Sequence, residues 1–289
     1  LKSIELDNQF IDPYKNLYEL HIKKQEFEIS IEYGQKILKL EKQKNPISYF
    51  KLAYAYDLNR DFNNAIDNYK IVENFNFADK KLLFNNLGSC YLGINKIKIA
   101  EKYYLDALKI DENDKRIINN LLLIYIKIED QKKIEIYLKK AELADKDFIQ
   151  FKLNKSDYLF SINKIDDSIE LLQKIIEDNS NPFAFMRLAN IFLRIGNDIK
   201  SMEIANKAYK KYPDFNQLKA LKGMIHLKRG EFEEGWKLYE FRDSKQKHIF
   251  NDIKTWNDED LKDNKILVYN EQGLGDTIQF SKNLLKLSE

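Results

Sequence analysis

Small residues recur along this chain at a nearly constant spacing, with large apolar and aromatic residues at fixed offsets between them. Tyr18, Ala53, Gly88, Leu122, Ser156, Ala189 and Gly223 fall in register, separated by 35, 35, 34, 34, 33 and 34 residues. If this residue is called position 8 of a repeat, position 20 carries Ser30, Ala65, Ala100, Ile134, Ser168, Ser201 and Gly235. Such a period predicts a helix–turn–helix unit stacked on copies of itself, with position 8 on helix A and position 20 on helix B. The two helices cross at these positions. Small side chains there let the axes approach to about 8–10 Å. Five of seven residues at position 8 are Gly, Ala or Ser, and six of seven at position 20. Leu122 and Ile134, the bulky pair, both fall in the fourth unit, which predicts helices that are splayed or shifted there.

Large side chains fill the space between the crossings. Position 11 carries His21, Tyr56, Tyr91, Tyr125, Leu159, Phe192 and His226, and position 24 includes Tyr69, Tyr104, Leu138, Leu172 and Tyr239. Pro46 and Pro182 are placed to open helices A, at a first-turn position where the missing N–H has no partner to lose. Gly196 and Gly230 sit in the turn between the helices of a unit, where a left-handed residue is expected.

In this register the chain resembles the tetratricopeptide-repeat (TPR) family over about residues 11–249. The units are read as 11–44, 46–79, 81–114, 115–148, 149–181, 182–215 and 216–249. The resemblance implies an all-α superhelical solenoid with a concave inner groove, stabilised by stacking because no unit buries its own apolar face. In that family helix A faces the groove. Position 6 of helix A carries Asn16, Asn86, Asn120 and Asn154 here. This resembles the asparagine ladder in the superhelical repeats of O-GlcNAc transferase, which holds a peptide backbone. The chemistry fits, because a primary amide offers donors and an acceptor to any peptide unit. Asparagine is also common in this chain, so chance alignment is the competing account.

Composition narrows the partner class. The 289 residues carry 48 basic and 46 acidic side chains, a net charge of +2. No overall field draws the chain to nucleic acid or to an acidic membrane. No apolar run reaches the ~18 residues of a membrane span, and no signal peptide is visible, so a cytoplasmic setting is expected. The single cysteine, Cys90, excludes an internal disulfide and a CxxC metal or redox pair. It sits beside aromatic packing positions and reads as a buried thiol. His21 and His226 share position 11 and read as packed histidines. No metal or cofactor is expected.

The rhythm stops after Arg242. Residues 250–264 read as a linker, and Lys265-Ile-Leu-Val-Tyr269 as a buried strand. Asn270-Glu-Gln-Gly-Leu-Gly-Asp-Thr277 and an amphipathic helix to Glu289 complete half of a βαβ unit. Gly273, Gly275, Asp276 and Thr277 form a loop that can bring backbone N–H groups to an anion or acceptor. The string from Glu234 through Trp256 to Phe280 looks like the junction in bacterial proteins that join TPRs to a glycosyltransferase-like domain related to heptosyltransferases, built on the two-lobed GT-B plan. It departs from that pattern at Thr255, Asp258 and Lys282-Asn283. The resemblance makes Asp276 a candidate general base and implies a sugar-nucleotide donor in a longer parent protein. A plain helix cap is the other account of Asp276. One βα unit cannot form a two-lobed cleft, so residues 1–289 are expected to bind a protein or peptide rather than to catalyse. The expectation is a recognition arm of such a parent, or alternatively a stand-alone interaction protein.

Overall fold

The computed structural model describes residues 10–242, together with residues 265 and 267. Among the described residues every regular element is an α-helix, and the fourteen helices form seven consecutive pairs. The pairs are α1 (Ile11–Lys23) with α2 (Phe27–Leu40), α3 (Pro46–Leu58) with α4 (Phe62–Glu73), α5 (Lys80–Gly93) with α6 (Ile97–Ile110), and α7 (Lys115–Lys127) with α8 (Gln131–Asp145). Then follow α9 (Ile149–Ser161) with α10 (Ile165–Asn179), α11 (Pro182–Arg194) with α12 (Asp198–Lys211), and α13 (Asn216–Lys228) with α14 (Phe232–Tyr239). Pro46 and Pro182 each occupy the first turn of their helix, as the sequence predicts. The expected strand, loop and helix of 265–289 lie outside the described residues, apart from Lys265 and Leu267, which are exposed.

One turn geometry serves all seven pairs. The residue at position 15 is left-handed in each: Gln25 (φ 61°), Arg60 (62°), Asn95 (61°), Glu129 (58°), Asn163 (63°), Gly196 (84°) and Gly230 (78°). The next N–H reaches back to the carbonyl of position 11, as in Glu26 N to His21 O (2.9 Å), Lys96 N to Tyr91 O (2.8 Å) and Glu231 N to His226 O (2.9 Å). This closes the free carbonyls at the end of helix A and sets helix B off at a fixed angle. Only two units use glycine, the residue that adopts this conformation without strain. Asp and Asn then start the helices: Asp61, Asp130 and Asn197 cap α4, α8 and α12, and Asn45, Asp79, Asp114 and Asn181 cap α3, α5, α7 and α11.

The chain divides into two compact units between Ile175 and Ile176, inside α10. The first has its core in successive layers: Tyr14, Tyr18, Ile31 and Leu52, then Ala53, Tyr69, Leu83 and Cys90, then Tyr104, Leu121, Leu122, Tyr125 and Ile134. The second is centred on Phe185, Ala189, Ala205, Leu218, Leu221 and Ile225. Each fully buried Leu, Ile or Phe contributes roughly 1.5–3 kcal/mol over an exposed one.

The crossing positions are as tight as the small residues require. A Cβ on Gly88 would lie 2.8 Å from the Tyr104 ring. Ser168 and Ser201 each donate a hydroxyl across the crossing, to the carbonyls of Ser156 (2.9 Å) and Ala189 (2.8 Å). In the fourth unit Leu122 and Ile134 are both buried, and α7 and α8 pack less extensively than the helix pairs of the first three units. The bulk predicted to hold these helices apart is taken into the core instead of being turned out to water.

Candidate functional site

The asparagines of α5, α7 and α9 form two hydrogen-bonded chains, one joining α5 to α7 and the other α7 to α9, across three successive helices A. Capping fixes the frame first. Asp79 accepts from Leu82 N at the start of α5, and Asp114 accepts from Arg116 N (3.0 Å) at the start of α7. Lys81 Nζ donates to Asp111 (2.8 Å) and Asp114 (3.0 Å), tying α5 to the entry of α7. Burial pushes the Asp114 carboxyl up, but Lys81, Arg116 and two backbone N–H groups outweigh it and hold it below the usual carboxylate range.

On that frame Asn86 Nδ2 donates to the Tyr69 hydroxyl at 3.0 Å, and Asn85 Nδ2 donates to Asn86 Oδ1 at 3.3 Å. Asn120 Nδ2 donates to Asn85 Oδ1 at 3.2 Å, which joins α5 to α7. A second chain joins α7 to α9: Asn154 Nδ2 donates to Asn119 Oδ1 at 2.9 Å, and Gln150 Nε2 donates to Asn154 Oδ1 at 3.1 Å. Asn86, Asn119 and Asn154 are buried, while Asn85 and Asn120 are half-buried.

The four position-6 asparagines are therefore in different states. Asn86 and Asn154 are buried, with both amide ends engaged inside the chain. Asn120 is half-buried and uses its amide N–H on Asn85. Asn16 is exposed on α1, away from the network. Asn85, Asn119 and Gln150 complete the arrangement and were not singled out from the sequence, and Tyr69 was read there only as a packing residue. The signal was legible in part, because Asn-Asn pairs recur at 85–86 and 119–120. Gly273, Gly275, Asp276 and Thr277 lie outside the described residues.

Other polar groups are quenched. Cys90 is buried, and burial followed by the nearby Asp57 charge pushes its thiol far up, so thiolate chemistry is suppressed. Burial also raises Asp57 and Tyr69. His21 and His226 are partly buried, as packed residues would be, but each also binds a carboxylate. His21 Nδ1 lies 2.5 Å from Glu26, and His226 Nδ1 lies 2.5 Å from Glu231. Position 11 is thereby clipped to the residue just before helix B, its N-cap, in both of these units. Among the described residues no group of three or more His, Cys, Asp or Glu side chains is placed to hold a metal, and no helix is long and apolar enough to cross a membrane.

Residues 83–114 match the family model for the tetratricopeptide repeat. The fold of most of the chain also matches a solved structure, a tetratricopeptide repeat protein from Parabacteroides merdae, at a TM-score of 0.64 and 14% identity over 83% of this chain and 94% of that one. This chain has the TPR fold. The APC/C hetero-tetramer Cut9–Hcn1 shares that fold at a TM-score of 0.57 and 13% identity, over 77% of this chain and 44% of the matched chain. In sequence, the TPR repeat-containing protein MJ1428 of Methanocaldococcus jannaschii is 27% identical over 69% of this chain, and the anaphase-promoting complex subunit CDC16 of Saccharomyces cerevisiae is 24% identical over 60%. The chain spans 38% and 22% of the lengths of those two relatives.

Proposed function

We propose that this TPR chain is a protein-binding scaffold whose helix A surface takes an extended peptide segment through the asparagine network of α5, α7 and α9. The observation that carries the reading is the amide relay itself, which fixes the half-buried Asn85 and Asn120 at one edge of a buried polar strip. A fixed amide binds a peptide unit with less ordering entropy than a free one. In this reading Asn120 and the exposed Asn16 touch the partner, and Asn86 and Asn154 position their neighbours. Two matched proteins, the Cut9–Hcn1 hetero-tetramer and the anaphase-promoting complex subunit CDC16, are named as parts of assemblies, which agrees with a scaffold role.

The scaffold reading is favoured over a recognition arm of a glycosyltransferase-like parent. The latter rests on sequence resemblance from Glu234 through Trp256 to Phe280, with Asp276 as the general base and a sugar nucleotide as the donor, and the matched proteins lend it nothing. A cytoplasmic setting belongs to the same proposal.

The test is selection of extended peptides from a displayed random library on the purified chain, followed by fluorescence anisotropy with the selected peptide. Asn120→Ala and Asn85→Ala are expected to weaken binding at least fivefold with unchanged far-ultraviolet circular dichroism. Unchanged affinity in both variants defeats the reading.

A further inference from the structure

The outer face of α8 carries a second candidate surface, independent of the asparagine network. Leu143, in the last turn of α8, has 88% of its surface exposed, and Ile136, two turns earlier on the same face, has 52%. Leu143 forms the ridge between two hollows. One, of about 820 Å³, lies between α6 and α8 over Leu105, Leu108, Ile118 and Tyr137. The other, of about 580 Å³, lies against α9 and α10 over Phe151 and Leu171. An isolated exposed leucine needs no explanation, but a leucine flanked by two apolar-floored hollows is the form of a docking ridge.

The charge around the hollows is one-sided. Eight lysines and four carboxylates line them, although the whole chain is nearly neutral. Three of the four carboxylates are already occupied: Glu101 by Lys133 (2.8 Å), Asp106 by Lys109 (2.7 Å) and Glu142 by Lys155 (2.5 Å). Of the other lysines in the lining, Lys98, Lys102 and Lys139 make no ion pair among the described residues, while Lys146 acts on the neighbouring Asp147 carboxylate. The available field is therefore positive, and it surrounds the exposed Leu143 and the apolar floors on either side of it.

We infer that this face docks an acidic amphipathic helix from a partner protein, its apolar side chains entering the hollows on either side of Leu143 and its carboxylates meeting the free lysines. Helix-in-groove recognition uses apolar anchors at this spacing, and charge complementarity sets its partner and its on-rate. A second copy of the chain is disfavoured as occupant, because it would set the same lysines against each other. Nucleic acid is disfavoured by the apolar floors.

The probe is a fluorescein-labelled helix of about five turns, leucine on one face and glutamate on the other, with a lysine-for-glutamate counterpart as control. Binding of the acidic probe is expected to fall at least tenfold in Leu143→Glu and in the Lys139→Glu/Lys140→Glu double variant, to weaken with salt, and to be absent for the basic probe. Leu143 is exposed, so its variant is expected to fold, and circular dichroism checks this. Asn120→Ala is expected to leave this affinity unchanged. The inference is overturned if Leu143→Glu binds as wild type, or if Asn120→Ala abolishes binding. It is equally overturned if single-stranded DNA displaces the probe while the basic probe binds as well. Self-association in sedimentation velocity that Leu143→Glu removes, with no probe binding, also overturns it in favour of a second copy.

Discussion

Gly223 and Gly235 face each other across the crossing of α13 and α14 so closely that a Cβ on Gly223 would lie 2.9 Å from the Gly235 carbonyl oxygen and 2.6 Å from the Tyr239 nitrogen. The obstructing atoms are backbone, which cannot swing aside as a side chain can. Gly223→Ala is expected to destabilise the second unit by roughly 1–3 kcal/mol through overpacking. Gly88→Ala, which meets only the Tyr104 ring, is expected to do so less. Urea unfolding followed by circular dichroism gives the order, and equal effects of the two substitutions would show that the helices move apart freely.

The left-handed turn residues make a graded series. Arg60 and Glu129 adopt φ near +60°, at a strain of roughly 1–2 kcal/mol that glycine avoids, offset by about 0.5–1 kcal/mol of extra freedom in the unfolded chain. Arg60→Gly and Glu129→Gly are expected to stabilise by about 0.5–1 kcal/mol. Asn95→Gly should gain less, since asparagine tolerates this region. Gly230→Ala should lose about 1 kcal/mol. A thermal-melt comparison checks the ranking, and a fall in Tm for both Arg60→Gly and Glu129→Gly contradicts it.

Two aspartates predict opposite responses to pH. Asp57 is raised above its ordinary 3.8, mainly by burial. Its contribution is full below that ordinary value and is lost as pH rises through the folded value. Asp114 is lowered from 3.8: burial opposes this, and Lys81 and Arg116 prevail. Its contribution is present above 3.8 and is lost as pH falls through the folded value. Asp57→Asn should therefore flatten the loss of stability on the neutral side of pH 4, and Asp114→Asn should flatten the acid side. Stability measured across the acid range in both variants tests the signs.

Removing Asn154 should reveal whether it positions its neighbours. Asn154→Ala leaves the buried Asn119 oxygen without its 2.9 Å donor, a loss of roughly 1–3 kcal/mol. Asn16→Ala, at an exposed position, should change stability by less than about 0.5 kcal/mol. Equal stability of the two variants would show that the buried relay carries no weight.

The histidine clips at the two ends of the array should also be measurable. Glu231 is held below its ordinary value, mainly by the His226 hydrogen bond. His226→Phe is expected to return the Glu231 titration towards an ordinary glutamate, seen by side-chain carboxyl NMR, and an unmoved titration would refute the contact.

The sequence by itself determined the helix pairs, their period, the small residues at the crossings, the prolines at helix starts and the buried cysteine. These are set by local propensity and by packing against the adjacent helix, so they are written within a single repeat. Other features belong to the tertiary structure. Asn120 and Asn154 find their partners 35 residues away on the preceding helix A, and which amides are spent inward depends on how one repeat is rotated on the last. Five of the seven turns within the helix pairs go left-handed without glycine, because the packed helices hold them there against their own preference. The lysines around Leu143 come from α6, from α8 with its C-cap Lys146, and from α9, and a surface assembled from three helices has no signature in any one of them.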